Sequence, residues 1–379
     1  MKIGIIGTYR VLCGAAVHIE NLAPILAKDN QIKIFAEFPY MTNELPMKES
    51  LKSIDYVRCW RRGEGFQNLT KELLEFKPGI ANFSFIAGLF NELEYYPNSE
   101  FQQMIHTLKD NNILPVLSLN DIPTQFFDKN RIYEWYKKLG LPYLVYNQDM
   151  LDGLKKWFPE ADAKVIPIGT RIFIPTNKFV AREKIGIPKK TFLISQVGNF
   201  LGADRGIEEI VDQIPKINIP NLLVAFVGGF HPTASPIHKV CVKNSMQKAI
   251  KYGITSKVKF TGMLNTEEEI DLWACASDFI IHNHKATFGY GISAAPRRVA
   301  CAKVPILMGE GTRLSEYING FHCIKFPDDN HIAGTIMFLY KDKSLQEKIA
   351  NNLYNYAMSM NYEVMAKNYV KFFEQKLGS

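Results

Sequence analysis

Along the first half of the chain, apolar residues come in two alternating arrangements. Short continuous runs such as "KIGIIGT", "QIKIFAE", "IANFSFIA", "ILPVLSL", "YLVYN" and "KVIPIG" have the length of strands buried on both faces. Between several of them, "GAAVHIENLAPILAKD", "NLTKELLEFK" and "SEFQQMIHTLKDNN" repeat apolar positions every three or four residues, the period of a helix that covers one face of a sheet. The order implies βαβ units and a parallel sheet. After "IGTRIFIPTNKF", which reads as a linker, the alternation restarts. It runs through "TFLISQVGNF", "GIEEIVDQIPKI", "NLLVAFVGG", "HKVCVKNSMQKAIKYG", "KVKFTG", "EEEIDLWACA", "DFIIHN", a helix near 292–302, "VPILMG" and "CIKF". From Ser344 to Leu377 the pattern is helical, with Leu345, Ile349, Leu353 and Tyr356 on one face. No internal repeat or low-complexity tract interrupts this.

Length supports the same division. The chain has 379 residues, 47% of them apolar, and chains beyond roughly 250–300 residues split into domains. The expectation is a Rossmann-like domain over residues 1–170, a second over 171–350, and a terminal helix over 351–379 packing back on the first. Both sheets would then face a cleft at their carboxyl ends, where open α/β sheets bind ligands. The six cysteines form no CxxC pair, which disfavours a zinc cage or a disulfide framework. The amino terminus lacks a signal-peptide pattern, and no stretch approaches the ~18 apolar residues of a membrane span. A cytoplasmic location follows as an expectation. The net charge is +7. Residues through Thr170 carry 19 Lys+Arg against 20 Asp+Glu, or −1, which leaves 26 against 18, or +8, for the remainder. The positive excess, which an anionic partner could use, sits in the second half.

Three strand-to-helix turns carry the candidate chemistry. In "GTYRVLCGAAVHIENL", Gly7 ends a strand and Cys13-Gly14 open a helix whose free amides can face an anion or a sugar. The turn lacks the GxGxxG of a dinucleotide fold, which disfavours a nicotinamide enzyme. In "VGNFLGADRGIEEIVDQI", Arg205-Gly206 open a helix after a loop holding Asn199 and Gly202, so a guanidinium stands beside unpaired amides, as a phosphate requires. In "HKATFGYGISAAPRRVACAKVP", Phe288, Gly289, Tyr290 and Gly291 form a bend that a ligand can approach closely. Arg297 and Arg298 follow about two turns into the next helix, where one can point into the cleft.

With these residues in place the chain resembles the GT-B glycosyltransferases, most nearly the retaining family four. "GAAVHIENLAPILAKDNQIKIF" is similar to that family's opening loop and helix, with His18 at a position often held by histidine. "VGNFLGADRGIEEIVDQI" resembles its donor element, and "VKFTGMLNTEEEIDLWACASDFIIHN" and "VPILMGEGTRLSEYINGFHCIKF" resemble its later stretches. The departures are specific. Counted from Pro305, Tyr290 and Arg298 stand at the family's two glutamate positions; counted from Ala300-Cys301, Gly289 and Arg297 do. The family's arginine is Asn199 here and its lysine is Arg205, and Asn120 and Asp121 lie where a catalytic-region histidine is common. Replacing a carboxylate by a guanidinium, which only donates, favours contact with phosphate or carboxylate on the ligand.

The resemblance implies a nucleotide-sugar donor, an acceptor hydroxyl on a saccharide, lipid-linked saccharide or small molecule, and retention of configuration. It places Gly14, Asn199, Arg205, Gly206, Phe288 to Gly291, Arg297, Arg298 and Glu316 at the donor. Arg205, Asn120 and Asp121 are assigned to catalysis, and His18, Asn120 and Asp121 to the acceptor. No DxD triplet is present, so neither a metal nor another cofactor is implied, and Asp328-Asp329 reads as a solvated turn. His282 and His284 flank Asn283 without a third ligand, which disfavours a metal site. Two other readings remain open. One is a DNA-modifying glycosyltransferase of bacteriophage type, weakened by the −1 balance of the first domain. The other is a non-catalytic sugar-nucleotide binder, motivated by the missing glutamates. Peripheral contact with a membrane is also open, and oligomeric state is not legible.

Overall fold

The computed structural model describes every residue except 12–13, 39–47, 52–53, 62–63, 87–89, 91–98, 124–128, 201–202, 231–235, 265, 286–288 and 379. Cys13, Gly202 and Phe288 therefore lie outside the described residues. The chain divides into two units. The first comprises Met1–Gly169 with Phe288–Ile292 and Tyr362–Ser379; the second comprises Thr170–Thr287 with Ser293–Asn361.

In the first unit the elements run β1 (Lys2–Gly7), α1 (Gly14–Leu26), β2 (Gln31–Glu37), β3 (Lys48–Leu51), β4 (Ile54–Trp60), α2 (Gln67–Phe76), β5 (Ile80–Phe85), α3 (Ser99–Asp110), β6 (Leu114–Leu119), β7 (Asp121–Pro123), α4 (Lys129–Leu139), β8 (Tyr143–Val145), α5 (Gln148–Trp157) and β9 (Ala163–Val165). The sheet has the order β3-β4-β2-β1-β5-β6-β8-β9. Every pairing in it is parallel except β3 on β4, an antiparallel edge. Continuous apolar runs make this possible: Ile3, Ile5 and Ile6 of β1 are at most 2% exposed, as are Ile80, Ala81, Phe83 and Phe85 of β5. The patterning did not mark β4, where Asp55 and Arg58 interrupt an otherwise apolar segment, nor α4 and α5, in which charged and polar residues outnumber the aliphatic ones.

The second unit runs α6 (Lys178–Lys184), β10 (Phe192–Phe200), α7 (Ile207–Gln213), β11 (Leu222–Gly229), α8 (Pro236–Lys251), β12 (Val258–Phe260), α9 (Glu267–Ala276) and β13 (Phe279–His282). After β14 (Gly289–Gly291), which belongs to the first unit, it continues with α10 (Ala295–Val299), β15 (Ile306–Gly309), β16 (Ile324–Phe326), α11 (Ile332–Lys341) and α12 (Lys343–Ser359). Its sheet, β12-β11-β10-β13-β15-β16, is parallel throughout. α9 starts on a capping box in which Thr266 and Glu269 satisfy each other's backbone amides. The terminal helical stretch is two helices, broken where the Met360 carbonyl accepts from the Thr170 amide at 2.9 Å. The later one, α13 (Tyr362–Leu377), buries Tyr369, Phe372 and Phe373 in the core of the first unit.

Both sheets reverse direction next to their first strand. From β1 the chain moves outward to β2 and β4, then returns to the other side at β5; from β10 it moves to β11 and β12, then returns at β13. The carboxyl ends of β1 and β5, and of β10 and β13, are therefore the switch points at which adjacent crossovers part and leave a crevice.

Candidate functional site

At the switch point of the second unit, β10 ends on an irregular stretch. Its pairing with β11 shifts register between Val197 and Phe200, so Asn199 lies where the ladder is broken. A turn of 3₁₀ helix (Ala203–Arg205) then leads to Gly206, which has φ 59° and caps α7. Only glycine serves here. The left-handed conformation disfavours a side chain, and a Cβ would stand 2.2 Å from Nδ2 of Asn283. Asn283 is held in turn by donating to Asp329 Oδ1 at 2.8 Å. The Lys285 amide donates to the Asp204 carbonyl at 2.9 Å, tying the segment after β13 to the one that carries Arg205.

The Arg205 guanidinium contacts the His284 ring, with Nη1 3.3 Å from Nδ1, and its Nε lies 3.4 Å from Asp204 Oδ2. Its carbonyl accepts from Gln196 Nε2 at 2.7 Å. The Ser293 hydroxyl is 2.9 Å from His284 Nε2. A guanidinium has only donors, so the imidazole beside it must be neutral. Burial lowers His284 well below its ordinary value, and the charges of Arg205 and Arg313 lower it further. Burial, with help from Arg205, likewise lowers His282 to about 3. Burial and the Arg313 charge also lower Arg205, against the opposing pull of Asp204. Around Arg205 the crevice thus gathers Arg313, two uncharged histidines and the partly exposed Asp204, while Lys285 beside it is paired with Glu209 and Asp329. Among the described residues no carboxylate pairs with Arg313, and its buried Nε has no hydrogen-bond partner; Gln196 Oε1 and His282 Nε2 are buried and unpartnered as well. Such an excess of positive charge and unused polar atoms at the end of a parallel sheet suits an oxyanion with several oxygens.

The neighbouring arginines are placed otherwise than the sequence suggested. α10 begins only at Ala295, so Arg297 and Arg298 stand in its first turns rather than two turns deep. Arg297 is 1% exposed and forms a fork with Glu316, Nη2 to Oε2 at 2.6 Å and Nε to Oε1 at 3.3 Å. Tyr356 closes this group, accepting from Arg297 Nη2 at 2.8 Å and donating to Glu316 Oε2 at 3.2 Å. Burial alone would lower Arg297, but the Glu316 charge outweighs it and the net shift is upward. Arg298 pairs with Glu267 at 2.6 Å, in a cluster where Arg171 meets Glu267 and Asp271. Arg297, Arg298 and Glu316 are committed to ion pairs inside the second unit instead of standing open for a ligand.

The glycine bend also differs. Gly289–Gly291 form β14, antiparallel to β7 in the first unit, with Tyr290 opposite Ile122 and Gly291 opposite Asp121. Tyr290 lies so close over α5 that a Cβ on Gly153 would be 2.4 Å from its ring, and the Asn147 side chain reaches the Gly291 carbonyl at 3.5 Å. The bend is thus strand backbone of the first unit. Asp121, half-buried in β7, belongs to this ladder.

At the switch point of the first unit, Gly7 is required by close packing, since a Cβ would meet Ile19 at 2.8 Å and Ser84 at 3.1 Å. Asn120 Nδ2 donates to Ser84 Oγ at 3.2 Å and to the Phe85 carbonyl at 3.3 Å, so it closes the end of β5. Gly14 is the first residue of α1 and faces open space. His18 is 4% exposed, between the rings of Tyr146 and Tyr362, and burial lowers it to about 4. It is a neutral core histidine under α13, not a surface group.

Of the residues named from sequence, the second unit gathers Arg205, Gly206 and the backbone of Asn199 at one crevice. It adds Arg313, Ser293 and Gln196, which no local motif marks, and His284, which the sequence offered only as a metal ligand. They come from separate parts of the chain: Gln196 lies within β10, His284 follows β13, Ser293 follows β14, and Arg313 follows β15.

No protein-family model matches the chain, and no curated protein sequence does. Solved structures do. The chain is similar to sucrose-phosphate synthase from Thermosynechococcus elongatus over 100% of both chains, at 14% identity and a TM-score of 0.80. It is similar to Anabaena HepE in complex with UDP-glucose, over 99% of this chain and 100% of that one, at 14% identity and a TM-score of 0.74. WaaG, a glycosyltransferase involved in lipopolysaccharide biosynthesis, matches over 98% and 99% at 13% identity and a TM-score of 0.67. At such identities the likeness is one of fold, and the chain has the fold of the GT-B glycosyltransferases, with two Rossmann-like units.

Proposed function

We propose that the protein is a glycosyltransferase that moves a sugar from a nucleotide-sugar donor to an acceptor hydroxyl, with retention and without a metal. The observation that carries the reading is the pairing of Arg205 with Arg313 at the β10/β13 crevice, beside histidines that burial keeps neutral. As the glycosidic bond lengthens, negative charge collects on the departing diphosphate. Fixed guanidinium donors that need no reorganisation stabilise that charge more than they stabilise the bound donor. The neutral histidines add polar edges without competing for the phosphate as cations. Full-length likeness to HepE, which was crystallised with UDP-glucose, supports the same class of donor. In this reading the open amino end of α1 at Gly14 faces sugar or acceptor, and the acceptor is a saccharide, lipid-linked saccharide or small molecule.

The test is release of nucleoside diphosphate from a panel of nucleotide sugars, with and without candidate acceptors. A transferase hydrolyses one member of the panel slowly in the absence of acceptor, and Arg205→Ala reduces that rate by about 10²-fold or more. Binding of a nucleotide sugar with no turnover under any condition would instead identify a non-catalytic binder.

A further inference from the structure

Between Asp212 and Glu267 the chain has no Asp, Glu or Arg, and lysine is its only formally charged residue type. α8 occupies the middle of this segment. One side of the helix packs on the second unit through Cys241 and Ala249. The other side departs from the usual polar face of a surface helix. Ile237 is 59% exposed, Val240 49%, Met246 50% and Ile250 68%. Lys239, Lys243 and Lys251 stand exposed among them. Lys248, nearer the body of the unit, is paired with Asp212 at 2.7 Å and Glu208 at 3.4 Å. No described carboxylate pairs with the other three.

Three occupants could cover such a face. A second copy of the chain would bring lysines against lysines across a two-fold axis, with no acid on the helix to relieve them. A nucleic acid would use the lysines but leave four aliphatic side chains against phosphate. An anionic lipid surface uses both sets, with ammonium groups among the headgroups and the aliphatic groups about 5–10 Å into the acyl boundary. We propose that α8 docks the protein on an anionic bilayer surface. The proposal is independent of the sugar-transfer reading.

Co-sedimentation of the full chain with vesicles tests it. Phosphatidylcholine vesicles with about 30% phosphatidylglycerol should retain the protein and pure phosphatidylcholine should not, and retention should weaken as salt rises. Each lysine near such a surface is worth about a five-fold change in partition, so Lys239→Gln with Lys243→Gln should lower it about 25-fold. Ile237→Ser with Ile250→Ser should also lower it while leaving the salt dependence. Unchanged circular dichroism and thermal midpoints would establish that both variants fold. Wild-type retention by either double variant, equal retention on neutral vesicles, or no retention at all would overturn the proposal. Retention on DNA but not on vesicles, lost only in the lysine variant, would give the face to nucleic acid. A dimer dissolved by both variants would give it to a second copy.

Discussion

At the scale of single residues, what decides a role is which charge each side chain meets, and that partner is often distant in sequence. The position of Arg205 at a strand-to-helix turn was legible because Arg-Gly at a helix start is a local arrangement. Arg297 and Arg298 were not, because their carboxylates, Glu316 and Glu267, come from a different turn and a different helix. Arg313, Ser293 and Gln196 gave no signal because only the folded sheet brings them to one end. The Arg297–Glu316 pair is nearly sealed from water, and removing one partner leaves the other charge buried and uncompensated. Glu316→Ala is expected to destabilise the protein by about 3–5 kcal/mol, and Glu316→Leu combined with Arg297→Met to recover most of that loss. Thermal or denaturant unfolding measures it. An unmoved midpoint with lost donor binding would instead make Glu316 a ligand group.

The buried histidines carry a pH dependence with a definite sign. His18 at about 4 and His282 at about 3 are held below the ordinary 6.5. Above pH 6.5 neither state binds the proton and stability is complete. As pH falls below 6.5 the unfolded chain takes up protons that the folded one refuses, until the folded values are reached. Each histidine therefore contributes a loss of at most ~1.4 kcal/mol per pH unit in that window. His18→Gln should flatten the stability profile between pH 6.5 and about 4; an unchanged slope would place His18 in water.

At the scale of elements, period and length located most strands and helices because buried parallel strands are continuous apolar runs. β4 escaped because the structure buries Arg58, at 1% exposure, by giving its guanidinium the carbonyls of Glu37 and Tyr9. A rule that expects charges in water cannot anticipate that. β14 escaped for another reason: two of its three residues are glycine, which strands disfavour, and its partner β7 lies far away in sequence. Its docking depends on Gly153. Gly153→Ala should destabilise by about 1–3 kcal/mol through overpacking against Tyr290. In a Tyr290→Ala background the same change should stabilise, by up to about 1 kcal/mol, because alanine is the better helix residue. A double-mutant cycle read by chemical denaturation checks the reversal, and equal effects in both backgrounds would remove the contact from the account.

At the scale of the whole molecule, the restart of the alternating pattern gave two sheets, and each sheet's strand order supplies a crevice that composition alone cannot locate. The charge excess of the second half has two destinations on this reading, Arg205 with Arg313 at the crevice and the lysines of α8 on the surface. Binding of nucleoside diphosphate by titration calorimetry, wild type against Arg205→Ala and Arg313→Ala, bears most directly on the first. A charge-assisted hydrogen bond to phosphate is worth about 1.5–3 kcal/mol, so each variant should bind roughly 10- to 150-fold more weakly, while affinity for the unphosphorylated nucleoside stays the same. Equal diphosphate affinity in all three proteins would contradict the assignment of these two guanidinium groups to the phosphate.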